Sequence, residues 1–162
     1  MLNQVTFALA LLAALALSGP TANAAGGGDS PSPGTASAPE DPDYVAGKQA
    51  VEAKNWQAAL QAFNSVVAKD PGNANAHNYL GYTHRKSGNL DLAFKHYAEA
   101  LRIDPRHRGA HEYVGEAYLM TGNLAKAEEH LNALDRICFF GCEEYRDLKK
   151  AVAEYRQQAA NR

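Results

Sequence analysis

The chain has 162 residues, 46% of them hydrophobic, and carries 16 basic against 18 acidic side chains for a net charge of −2. These charges are spread along the sequence with no run of five of one sign, which excludes the clustered basic face that phosphate binding needs and so argues against a nucleic-acid partner. Apart from a leader and a spacer, roughly 120 residues are left for folding, an ordinary size for one domain.

Residues 1–24 contain no charged side chain, run apolar from Val5 to Leu17 and close on Ala22-Asn23-Ala24, an A-x-A cleavage signal. That is the pattern of a secretory signal peptide. Its apolar stretch falls short of the ~20 residues a helix needs to cross a bilayer, so no stable membrane insertion is expected after cleavage. Residues 25–42 are mostly Gly, Ser, Pro and Ala, and five of the seven prolines lie at or before Pro42. Such a segment cannot bury enough apolar surface to offset its ordering entropy and is expected to be a disordered linker.

From residue 43 onward a register appears. Gly47, Gly81 and Gly115 stand 34 residues apart. Around Gly81 the chain reads His77-x-x-Leu80-Gly81-x-x-His84, then Ala93-x-x-x-Tyr97, Ala100 and Asp104-Pro105. The copy around Gly115 gives His111-x-x-Val114-Gly115-x-x-Tyr118, Ala127-x-x-x-Leu131 and Leu134, and the copy around Gly47 gives Ala50, Ala59-x-x-x-Phe63, Val66 and Asp70-Pro71. Large residues recur at the spacing of amphipathic helices. Gly88-Asn89 and Gly122-Asn123 punctuate them where a left-handed residue can end a helix, with Lys54-Asn55-Trp56 as the first copy's version. Glycine at 81 should let the second helix of its unit approach the first, with Ala59, Ala93 and Ala127 giving the matching allowance.

This pattern resembles the tetratricopeptide repeat. The resemblance implies an all-α fold, an α-solenoid of three helix-turn-helix repeats at about 43–73, 74–107 and 108–137. Two departures stand out: Asp43, His77 and His111 occupy the position where the family has a large aromatic, and Phe139 replaces the closing proline of the third repeat. The family binds peptides or partner helices in a groove lined by the first helix of each repeat. Carried onto this register, the groove positions are Tyr44 and Lys48, then Asn75, Asn78, Tyr82 and Arg85, then Glu112, Glu116 and Met120. They make a polar groove of mixed sign, exposed in the free protein, with only scattered members of the family's two-carboxylate clamp. A protein or peptide partner is expected.

Residues 138–162 hold a Cys-x-x-x-Cys turn and a helix from about Glu143 to Gln157, with Tyr145, Leu148, Val152 and Tyr155 on one stripe. This helix should cap the apolar side of the third repeat. An even cysteine count in an exported chain favours a Cys138–Cys142 disulfide, and since a regular helix would hold the two Cβ atoms too far apart, the helix should break at Gly141. A redox-active dithiol and a metal carrier using these thiols with nearby His remain as alternatives. The ending Cys-x-x-x-Cys-Glu-Glu-Tyr-x-x-Leu also resembles small exported repeat proteins of proteobacteria, which implies a periplasmic location.

Little else suggests chemistry. His111-Glu112-x-x-Gly115 begins like a zinc-protease helix but has Gly where the second His must stand. His107 and His111 form an i, i+4 pair without an evident third ligand, so packing is the expected role. Outside the leader and spacer the serines are Ser65 and Ser87, neither in a nucleophile elbow. The expectation is a non-catalytic scaffold without metal or cofactor.

Overall fold

A computed structural model describes residues 40–161; the expected signal peptide and nearly all of the expected linker lie outside the described residues. The described residues form seven helices in chain order: α1 Pro42–Glu52, α2 Trp56–Lys69, α3 Ala74–Lys86, α4 Leu90–Ile103, α5 Arg108–Met120, α6 Leu124–Ile137 and α7 Glu143–Ala160. Among the described residues there is no strand. Helices α1 and α2, α3 and α4, and α5 and α6 pack as antiparallel pairs, each stacked on the next, and α7 packs on both α5 and α6.

Each start and stop has a local cause. Asp41, Asn55, Asn73, Asn89 and Asn123 cap helices with side-chain oxygens that accept from backbone N–H groups in the first turn. The asparagines after Gly88 and Gly122 thus open the next helix, while the glycines themselves take the left-handed conformation, with φ of +81° and +78°. In the first repeat Lys54 adopts it instead, at φ +56°. Helix α5 is capped by a histidine: His107 Nδ1 accepts from the Ala110 N–H at 3.1 Å.

The glycine register turns out to make room for large side chains rather than for small ones. A Cβ at Gly81 would lie 2.5 Å from the Tyr97 ring, and one at Gly47 would lie 2.6 Å from Phe63. Both rings are fully buried, each contributing roughly 1.5–3 kcal/mol through burial. The alanines pack beside them, also fully buried. In the third repeat Leu148 of α7 takes the corresponding space, 2.6 Å from a Cβ at Gly115. Leu148 and Val152 then close a core with Ala127 and Leu134.

The polar heads of the first helices form cross-links. Asp43 accepts from Ser65 and from Lys69 at 2.7 Å. His77 Nε2 lies 3.3 Å from the Pro71 carbonyl, an acceptor, so it carries the hydrogen; Nδ1 is then free to accept from His96 Nδ1–H at 3.2 Å. One period later His111 Nε2 donates to the Pro105 carbonyl at 3.1 Å and pairs with His130 at 2.9 Å. His111 therefore has His130, not His107, as its partner, and the carbonyls of the two closing prolines set both tautomers.

Between α6 and α7, Gly141 has φ +79° and interrupts the helical path, bringing the Cα atoms of Cys138 and Cys142 to 5.5 Å with their sulfurs joined. Phe139 and Phe140 in this turn are exposed.

Candidate functional site

The first helices of the repeats, together with α7, enclose a cleft of about 510 Å³. Its walls come from Tyr44 of α1, Asn75, Asn78 and Tyr79 of α3, the turn Asp104–Arg106–His107, and Arg108, Gly109, Glu112 and Tyr113 of α5. Glu143, Glu144 and Asp147 of α7 complete it. Four of the groove residues expected from the register, Tyr44, Asn75, Asn78 and Glu112, line this cleft.

The other five lie elsewhere. Arg85 Nη1 forms a 2.6 Å ion pair with Glu116, and its guanidinium lies 5.4 Å from the Tyr82 ring and 5.5 Å from the Tyr113 ring. Tyr82 also meets Trp56 edge-on. Arg85 is buried, so these side chains brace α3 against α5 rather than standing open to a ligand. Lys48 pairs with Glu40 at 2.9 Å over the Tyr44 ring. Met120 is exposed at the end of α5, outside the cleft lining.

Burial at the groove positions also exceeds the expectation of an exposed surface. Asn78, Arg85 and Glu112 are all buried, since α5 packs beside α3 and α7 beside α5. Asn75 Oδ1 accepts from His107 Nε2 at 3.0 Å, which ties the cleft wall to the cap of α5. Glu112 sits in low-dielectric surroundings near Glu116, Asp147 and Glu144, with Arg85 opposing them; burial first, then these carboxylates, pushes its carboxyl up to about 8.

Helix α7 is thus more than the cap expected from its apolar stripe: it also contributes carboxylates to the cleft. A signal for it exists in the sequence: Leu80, Val114 and Leu148 are 34 residues apart, so the register runs one helix further and α7 stands where the first helix of a fourth repeat would. Its side chains line the cleft for that reason.

Elsewhere, burial holds His96 and His130 down to about 4, and their partners His77 and His111 add to the shift. Among the described residues no group of three or more His, Cys, Asp or Glu is arranged to hold a metal ion.

Two family models, both of the tetratricopeptide repeat, match residues 44–107 and 84–152. The chain belongs to the tetratricopeptide repeat family. Among solved structures it is similar to the TPR2B domain of yeast Sti1 in complex with pHsp70, at TM-score 0.65 and 20% identity over 72% of this chain and 94% of that one. It is also similar to SycD, the type III secretion translocator chaperone of Yersinia enterocolitica, at TM-score 0.64 and 17% identity over 73% and 83%. A third is the second TPR domain of human RPAP3 in complex with the HSP70 peptide SGPTIEEVD, at TM-score 0.60 and 17% identity over 67% and 91%. No curated protein matches the chain in sequence.

Proposed function

We propose that this chain is a non-catalytic interaction module that holds an extended peptide or a helix of a partner protein in the cleft between α1, α3, α5 and α7. One observation carries the reading: the cleft is continuous across all three repeats and α7, about 510 Å³ in volume, and lined by polar and aromatic side chains. Tyr44, Tyr79 and Tyr113 supply amphipathic contact area of the kind enriched at binding hot spots. Peptide complexes of structurally similar domains support the same use of the fold. The RPAP3 ligand ends in EEVD, an acidic tail, whereas carboxylates of α5 and α7 line this cleft, so a different peptide chemistry is indicated here.

The periplasm is the proposed location, supported by the uncharged leader closing on Ala22-Asn23-Ala24 and by the paired cysteines. We read Cys138–Cys142 as a structural bond that sets the angle at which α7 docks.

A photo-crosslinking amino acid at Tyr44, on the cleft wall, should capture a partner in cells, while the same group at Lys95, exposed on α4, should not. Equal capture at both positions, or capture at Lys95 alone, would contradict the reading. A fusion of residues 1–42 to a phosphatase that is active only after export should be active; an inactive fusion would remove the periplasmic assignment.

A further inference from the structure

We infer that the α5–α7 end of the cleft is a socket for one basic side chain, a lysine ammonium or an arginine guanidinium projecting from an extended peptide, with Glu112 and Asn78 at its floor and Asp147 and Glu144 at its rim. This rests on the reading of the cleft as a protein-binding site and specifies what enters it.

Two independent observations converge. Asn78 lines the cleft and is only 6% exposed, yet its Oδ1 has no hydrogen-bond partner. A buried acceptor left without a donor is costly and is normally satisfied. Glu112, one period later in the register, is 9% exposed and faces Glu116, Asp147 and Glu144. Arg85, which opposes it, already bonds Glu116 at 2.6 Å. Asn78 Oδ1 is an acceptor, and Glu112 becomes a charged acceptor once its proton is released, so a ligand that brings donors and positive charge complements both. Lysine and arginine side chains offer donors only. Arg106 and Arg108 line the same cleft, but Asp104, Glu112, Glu143, Glu144 and Asp147 outnumber them. Arg108 is moreover drawn towards Glu144, at 3.6 Å.

Gly109 provides the room. A Cβ there would lie 3.1 Å from Asn78 Nδ2, so the missing side chain leaves the space above the amide open.

Proton linkage follows from the same geometry. Free Glu112 is held up to about 8 by burial and by Glu116, Asp147 and Glu144, against Arg85. An incoming cation lowers that value, so binding near neutral pH releases a proton, and affinity is fully present above about 8 and lost as pH falls below it.

The test selects random heptapeptides displayed on phage against the full-length protein and measures the affinity of the enriched sequences. Enrichment of Lys or Arg at one fixed position is expected. Replacing that residue by Met in the synthetic peptide should weaken binding about tenfold or more, as loss of one charge-assisted contact in a desolvated site does. Glu112→Gln should remove the same increment together with the proton release, read calorimetrically in buffers of different ionisation enthalpy. Gly109→Ala should weaken binding while leaving the melting temperature unchanged or raised. Peptides that bind in the cleft, as judged by loss of affinity in Gly109→Ala, but show no basic preference would overturn the socket and leave the cleft reading standing. Failure to enrich any peptide sensitive to Gly109→Ala would overturn both. Displacement of the peptide by spermidine alone at equal affinity would make the ligand a free polyamine and overturn the peptide as its source.

Discussion

The glycines at 47, 81 and 115 look equivalent in sequence, but the structure gives them unequal neighbours. At Gly81 the atoms in the way include Tyr97 Cγ at 3.0 Å, close to the root of a fully buried ring, whereas at Gly115 the nearest atoms are the terminal methyls of Leu148. Gly81→Ala should therefore destabilise by about 1–3 kcal/mol, and Gly115→Ala by less, since a leucine tip can rotate away. Chemical denaturation of both variants checks the order, and a larger loss at Gly115 would contradict it. The recurrence of small residues made the register readable, but what filled each space was not legible, because it depends on which helix arrives there. Titratable groups show the same limit. His77 and His96 sit 19 positions apart, a spacing without meaning until α3 and α4 are folded together. Burial of His96 and His130 holds both down to about 4. Their contribution to stability is fully present above the unfolded value of about 6.5 and is lost as pH falls through the window down to about 4. Glu112 acts in the opposite sense: raised to about 8, it contributes stability below about 4.5 that is lost as pH rises through 8. Melting curves across pH should show the acid loss flattened in a His96→Gln, His130→Gln double variant and the loss towards pH 8 flattened in Glu112→Gln. Unchanged slopes in either variant would refute its assignment.

At the scale of elements, the turn between α6 and α7 was predictable because its constraint is local. Four-residue spacing of two cysteines cannot be bridged along a regular helix, so a break had to occur, and Gly141 at φ +79° makes it. A loop of this size constrains the unfolded chain only slightly, and reduction should cost about 2 kcal/mol or less in the chain-entropy model. Thermal melts with and without reductant should differ by a few degrees, and collapse of the whole domain on reduction would show that the bond does more than orient α7. Helix α7 itself was only half legible. Its apolar stripe announced a cap, and Leu148 and Val152 do pack on Ala127 and Leu134. Its role in the cleft was hidden because Lys149 stands where the register would place another glycine, which disguises the fourth period.

The described residues form a stack in which each helical pair covers the apolar side of the one before it, so its end must be closed. Deleting residues 143–162 would uncover Ala127, Leu134 and the space beside Gly115. Such a protein should aggregate or lose cooperative unfolding, as light scattering and melting curves would show; a soluble truncation with an unchanged melt would make α7 an appendage. The same helix completes the cleft, and this joins stability to binding. Hydrogen exchange of the full-length protein with and without a bound partner peptide tests that claim most directly. Protection gained on binding is expected on the cleft-facing turns of α3, α5 and α7, around residues 74–79, 108–113 and 143–147, with α2, α4 and α6 unchanged. Protection confined to α4 and α6, with those turns unaffected, would place the partner on the opposite face and contradict it.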